Sequence, residues 1–265
     1  MSRIITIANQ KGGVGKTTTA INLAASLAMA DLTVLVIDTD PQANLTSGVG
    51  MKGQAATAGT VYEALTAVEV PELHQFVLTT NVSGLSLVPS NSNLIGAELE
   101  MVSLDRRESR LRSLVRQLAD HYDYVFIDTP PSLGLLTLNG LVAADTVLIP
   151  LHSEYFALEG LADLVSTLRR VRAALNPDLD IEGVLLTMYD GRTNLGQQVS
   201  REIREFFKEK VFQTVIPRNV RLGEAPSHGM PVMLHDVKSR GAEAYLALAK
   251  EILANHATAR RNTHG

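Results

Sequence analysis

With 265 residues, 45% hydrophobic and 20% charged, the chain has the composition of an ordinary globular protein with room for one large domain or two small ones. It contains no Cys and no Trp, which excludes a disulfide scaffold, thiol catalysis, cysteine-ligated zinc and iron–sulfur clusters. The formal net charge of −4 hides an asymmetry: residues 1–191 carry 12 Lys and Arg against 21 Asp and Glu, whereas residues 192–265 carry 12 against 7. A basic last quarter on an acidic body suits a polyanionic partner, with solvated faces as the plainer reading.

The chain opens on a strand-like run, without the charged, apolar and cleavage regions of a signal peptide. Near-continuous Val, Ile and Leu runs at residues 4–8, 34–38, 85–88, 124–128, 146–150, 183–188 and 214–216 predict strands buried on both faces. Helical periodicity predicts helices at residues 16–30, 94–121, 158–175, 196–208 and 241–256. This alternation implies right-handed crossovers and an α/β fold, a doubly wound, mostly parallel sheet with helices on both faces. One domain is expected over residues 1–256, followed by a frayed tail at 257–265. With the first strand beginning at residue 3, no N-terminal helix-turn-helix domain is expected. Residues 46–60, rich in Gly, Ala, Thr and Ser, read as a mobile loop or lid. Arg106, Arg107, Arg110, Arg112 and Arg116, with Asp105 and Glu108 on the 94–121 helix, read as a solvated face. The longest apolar stretch, 133–151, is broken by Asn139, Asp145 and Pro150 and is not a membrane span. His74, His121 and His235 lack metal-ligand spacing.

The informative stretch is Gln10-Lys11-Gly12-Gly13-Val14-Gly15-Lys16-Thr17-Thr18, placed between the first strand and the first helix. Glycines there let backbone N–H groups turn inward around phosphate oxygens, and the helix N-terminus adds its positive end. Lys16 is suited to the β- and γ-phosphates of a nucleotide and the Thr17 hydroxyl to Mg²⁺. The common pattern has Gly five residues before Gly15; this chain has Gln10 there and an extra lysine, Lys11, ahead of two glycines. In this it resembles the deviant Walker A ATPases, whose signature lysine stands at the Lys11 position. That resemblance implies two subunits facing each other across two ATP molecules, with Lys11 contacting the phosphates held by the partner.

Two acidic strand ends belong with this loop: Asp38-Thr39-Asp40 and Asp128-Thr129. Ligands of open α/β sheets gather at the carboxyl ends of strands, so Asp38, Asp40 and Asp128 should converge on the phosphate loop. Asp38 and Asp128 are the metal candidates, acting through the water shell of Mg²⁺. Asp40 is the candidate for orienting or deprotonating the attacking water.

Together with residues 154–160, 193–196, 216–222, 224–229 and 239–242, these motifs resemble the ParA/Soj chromosome- and plasmid-partitioning ATPases over most of the chain. His152 departs from the glutamine usual in that family. The resemblance implies weak ATP hydrolysis, with ATP and Mg²⁺ as cofactors and Lys11, Lys16 and Asp40 as the catalytic set. It also implies an ATP-dependent homodimer, non-specific binding of double-stranded DNA, and release when a ParB-like adaptor protein stimulates hydrolysis. Gly12, Gly13, Val14, Gly15, Lys16, Thr17 and Thr18 would hold phosphates, with Pro217 and Asn219 beside the adenine. Arg192 and Arg221 stand at the DNA-contact positions; Arg218, Lys238 and Arg240 are further candidates. The expected location is the cytoplasm, on the nucleoid. The alternative is an ATPase resembling MinD, or one positioning a protein cluster, with a membrane or protein cargo. Against the membrane, the stripe Tyr245, Leu248, Ala249 and Ile252 of the last helix reads as core packing.

Overall fold

A computed structural model of the chain describes residues 2–118, 120–152 and 157–263. Its first half runs β1 (Arg3–Ile7), α1 (Lys16–Ala28), β2 (Val34–Asp38), α2 (Asn44–Gly48), α3 (Val61–Thr66), β3 (Leu78–Thr79), β4 (Leu85–Val88), α4 (Leu94–Glu100), α5 (Arg110–Val115) and β5 (Tyr124–Asp128). The second half runs α6 (Leu135–Ala143), β6 (Thr146–His152), α7 (Ala157–Ala174), β7 (Asp180–Thr187), α8 (Asn194–Phe207), α9 (Val220–Glu224), α10 (Val232–His235) and α11 (Arg240–Thr263).

The strands form one sheet in the order β3-β4-β2-β5-β1-β6-β7, parallel throughout except that β3 runs antiparallel to β4. Successive residues of a strand point to opposite faces. Ile4, Leu35, Ile37, Val125 and Ile127 therefore enter one core with α3 to α8. Ile5, Ile7, Val34, Val36 and Phe126 enter the other, with α1 and α11. Both faces are dry, which is why these strands read as unbroken apolar runs. From β1 the chain crosses through α1 to β2; from the adjacent β5 it crosses through α6, on the other face, to β6. The carboxyl ends of β1 and β5 thus flank a switch point, where such sheets hold ligands.

At the opposite end of the sheet a polar clasp fastens α11. His256 Nε2 donates to Glu182 Oε1 at 2.6 Å, while Thr146 Oγ1 and Arg3 Nη2 donate to Glu182 Oε2 at 2.6 and 3.2 Å. The other ring nitrogen, Nδ1, is 2.8 Å from the Tyr124 hydroxyl.

Five expectations are corrected. The 94–121 segment is not one helix: α4 passes into a 3-10 turn at Met101–Ser103, Leu104 turns extended, and Arg106 takes a left-handed φ of 51° before α5. Arg110 accordingly leaves the solvated face. It is buried, and its guanidinium donates to the Leu65 carbonyl at 2.6 Å and to that of Ala67, satisfying the C-terminal carbonyls of α3. Residues 46–60 are not a loose lid: the segment starts within α2 and buries Thr46, Gly48, Val49, Met51 and Thr60, leaving residues 50, 52–55 and 57 exposed. Residues 214–216 do not form a strand. The segment follows β7 through isolated bridges at Val211 and Pro217, while Glu251 of α11 takes the amides of Gln213 and Thr214 at 2.7 and 2.9 Å. Finally, α11 continues to Thr263 through the expected tail, since residues 257–263 are rich in Ala and Arg and contain no Gly or Pro.

Candidate active site

The phosphate-type loop leaves β1 at the switch point and is fixed at both ends. Asn9 is buried; its Nδ2 donates to the Pro150 carbonyl at 2.7 Å and its Oδ1 accepts the Lys11 amide at 3.0 Å. Further on, Thr187 Oγ1 at the end of β7 donates to the Val14 carbonyl at 2.8 Å. Between these anchors Gly13 and Gly15 adopt φ of 71° and 87°, left-handed values that other residues adopt only under strain. The Val14 side chain is buried, so this residue offers the site its backbone alone. Gly15 caps α1, whose first turn holds Lys16, Thr17 and Thr18 and no acidic residue, leaving its N-terminal amides suited to an anion.

Lys16 is buried, with Nζ 3.3 Å from the Lys11 carbonyl. Burial pushes its pKa down, against the charges of Asp128 and Asp40. Thr17 Oγ1 donates to Asp128 Oδ2 at 2.7 Å. The other oxygen of that carboxylate, Oδ1, is buried without a hydrogen-bond partner. Burial and then the charge of Asp38 raise the Asp128 pKa well above the ordinary carboxylate value, with the Thr17 bond and Lys16 opposing. A hydroxyl beside an orphaned carboxylate oxygen is a hard-oxygen donor set that fits Mg²⁺. Among the described residues no group of three or more His, Asp or Glu is placed to hold a metal alone, so phosphate oxygens would have to complete its shell.

Asp38 stands one strand over, fully buried. Its Oδ2 accepts the Thr46 amide and hydroxyl at 2.9 and 2.7 Å, and its Oδ1 accepts the Asp40 amide at 3.1 Å. Burial raises its pKa to about 6 against those hydrogen bonds. Asp40 is held further by Gln42, whose amide donates to its Oδ1 at 2.9 Å, and by Ser90, whose hydroxyl donates to its carbonyl at 2.7 Å.

These groups face a cavity of about 540 Å³, in the size range of small-molecule sites. Gly12, Gly13, Gly15, Lys16, Thr17, Thr18 and Asp40 line it, together with Pro217, Arg218 and Asn219. Arg218, expected on a DNA face, therefore borders this cavity. Asp38 and Asp128 lie beneath the lining. Sequence reading missed Gln42, Asn44, Thr187, Met188, Leu222 and Tyr245, which also line it. Of these only Met188, with φ of 47° at the end of β7, is conformationally unusual. Arg192, Arg221, Lys238 and Arg240 are all exposed in the last third of the chain. The expected motif at residues 154–160 falls partly outside the described residues: 153–156 are not described, nor are the side chains of 157–160.

A family model described as an AAA domain matches residues 2–181. The chromosome partitioning protein ParA of Myxococcus xanthus is 55% identical over 253 residues, covering 96% of this chain and 88% of that protein. The chain belongs to the ParA/Soj family of chromosome-partitioning ATPases. Within that family the sporulation initiation inhibitor protein Soj of Bacillus subtilis is 53% identical, covering 96% of this chain and all of that one. Among solved structures, a Mycobacterium smegmatis chain titled cobyrinic acid a,c-diamide synthase, with bound ADP and magnesium, superposes with a TM-score of 0.82 at 35% identity, covering 96% of this chain and 94% of that one. That chain shares its fold with this one and holds magnesium and an adenine nucleotide together. The higher identity of the ParA and Soj sequences, over the same length, decides the family.

Proposed function

We propose that this chain is a DNA-segregation ATPase that couples ATP binding and hydrolysis to dimerisation and to reversible, sequence-independent DNA binding. The observation that carries the reading is the Lys16–Thr17–Asp128 assembly at the floor of a nucleotide-sized cavity, with the unpartnered Asp128 oxygen beside the Thr17 hydroxyl. When bound, magnesium would supply charge neutralisation on the β- and γ-phosphates.

The chain's own groups do the rest. Amides of Gly13 to Thr18 cradle phosphate oxygens, and Lys16, already desolvated, places its positive charge on them. Thr17 and Asp128 would hold the metal. Asp38, also a metal candidate, has its oxygens engaged by Thr46 and Asp40, and we assign it the orientation of Asp40. Asp40, on the cavity wall, aligns the attacking water and takes its proton. Pro217 and Asn219 border the adenine end. Lys11 reaches from the loop toward the nucleotide of a second subunit, because a polyphosphate at an interface needs positive charge from both sides. Lys11→Ala should therefore retain nucleotide binding and lose ATP-dependent dimerisation, read by light scattering. A variant that still dimerises with ATP overturns the role of Lys11.

Arg192 and Arg221, with Lys238 and Arg240 beside them in the basic quarter, supply contacts to phosphates of any duplex, and a dimer doubles their number. Nucleotide state can reach them over short paths: Met188 and Asn219, on the cavity wall, lie four and two residues from Arg192 and Arg221. A ParB-like adaptor that accelerates hydrolysis would release the DNA, so the working location is the nucleoid in the cytoplasm. The rival reading, a membrane-bound regulator, finds little support in α11. Tyr245, Leu248, Ala249 and Ile252 are packed in the core rather than presented to lipid. Among the described residues no helix is long and apolar enough to cross a membrane.

A further inference from the structure

Both principal arginines of the proposed DNA face already hold anionic partners within the chain. Arg192 has a side chain 90% exposed, yet its Nε and Nη2 donate to Asp190 Oδ1 and Oδ2 at 2.9 and 2.7 Å. This is the two-pronged geometry that a guanidinium makes with a phosphate. The Arg192 amide also donates to Asp190 Oδ1, at 3.1 Å, so the turn itself sets the carboxylate in place. Arg221 Nη1 donates to Glu224 Oε2 at 2.7 Å, and its Nε lies 3.3 Å from Asp236 Oδ2. The arginines hold the carboxyls of Asp190 and Glu224 below their ordinary pKa, chiefly through these side-chain hydrogen bonds.

Exposed ion pairs stabilise a fold little, so stability is a weak reason for this arrangement. Acidic residues are scarce in this part of the chain: residues 192–265 hold 7, and two of them sit on Arg221. A phosphate approaching either arginine either displaces a carboxylate from the guanidinium or takes the donors left over, Nη1 of Arg192 or Nη2 of Arg221, and in both cases lies beside the carboxylate's negative charge.

We propose that Asp190, Glu224 and Asp236 are intramolecular competitors for DNA phosphate that set the affinity of the DNA face, an inference that rests on the DNA reading above. Each face is thereby partly self-neutralised. One subunit binds a duplex weakly, and only the paired faces of a dimer hold it, which keeps unpaired subunits off DNA and makes release easy once the dimer parts. The competition acts on charge and not on base sequence, so it lowers affinity equally for every duplex.

The test is binding of a duplex of arbitrary sequence by the ATP-bound protein across a salt series. It compares the wild type with Asp190→Asn, Glu224→Gln and the double variant, and uses Glu205→Gln as control. Asn and Gln keep the shape and hydrogen-bonding oxygen of the residues replaced. Glu205 is an exposed carboxylate on α8 that pairs with neither arginine, so its removal measures the generic effect of one lost negative charge. Each single variant should bind roughly two- to fivefold tighter than the control, and the double variant by about the product. The slope of log Kd against log salt should steepen by about one for each arginine freed. Variants no tighter than Glu205→Gln overturn the proposal while wild-type binding leaves the DNA reading standing. A fall in affinity with ATP-dependent dimerisation intact overturns it too, since the carboxylates would then be aiming the arginines at DNA. Absence of binding by every form overturns both readings. Asp236→Asn repeats the test on Arg221 should either single variant fail to fold.

Discussion

Lys16, Thr17, Asp40 and Asp128 come from three separate strand ends, and Lys16 and Asp40 can be tested apart. Lys16→Ala removes a charge-assisted contact to phosphate and should weaken nucleotide affinity roughly 10- to 100-fold, as read by fluorescent-nucleotide titration. Unchanged affinity would contradict the phosphate-loop assignment. Asp40→Ala leaves the cradle intact and removes the water-orienting carboxylate. It should bind ATP normally, turn it over at least about 100-fold more slowly, and accumulate as the ATP-bound dimer. Normal turnover by that variant would place the base elsewhere. These residues were legible because their spacing is tied to strand ends, where an open α/β sheet brings ligands. Tyr245 was not. It reaches the cavity from α11 and is 3.1 Å from Thr19 through its hydroxyl, a contact separated by 226 positions that no local pattern encodes. Arg110 misled for a related reason: five arginines in eleven positions look like a wet face until α3 ends where one of them can cap it.

At the scale of elements, strands announced themselves through runs of Val, Ile and Leu, and six of the seven expected strands overlap observed ones. The seventh failed because the Thr214 amide, like that of Gln213 before it, goes to Glu251 on α11, leaving only the Ile216 amide to bond to Leu186 of β7. The two-residue β3 was missed, being too short to leave a pattern. The long helix expected at 94–121 failed at Leu104 and Arg106, since periodicity persists across a break when both halves pack on the same core. The clasp that anchors α11 was likewise invisible, as it joins residues of β1, β5, β6 and β7 to His256. Burial alone would raise the pKa of Glu182. The His256 bond and charge, Thr146 and Arg3 reverse this and hold it at about 2. A carboxyl depressed in the folded state stabilises above its unfolded pKa, about 4.5, and that stabilisation is lost as the pH falls through about 2. The wild type should therefore lose on the order of 3 kcal/mol between those limits through this group, and Glu182→Gln should show a flatter acid limb in urea melts. Identical acid limbs would contradict the clasp.

For the molecule as a whole, the fold and the family were readable from strand–helix alternation and one phosphate motif, whereas the state of the basic quarter was not. Charge counting located an excess of Lys and Arg there but could not show that Asp190, Glu224 and Asp236 already occupy two of the arginines. Arg192→Glu or Arg221→Glu should abolish DNA binding at physiological salt and leave ATP-dependent dimerisation unaltered by light scattering. Loss of both would assign these residues to the dimer interface. The central claim is that nucleotide state controls a non-specific DNA contact. It is tested most directly by binding of an arbitrary duplex with ATP, with ADP and without nucleotide across a salt series. The account predicts binding with ATP alone, weakening steeply as salt rises. Binding that is equal in all three states, or absent with ATP while dimerisation persists, would contradict it.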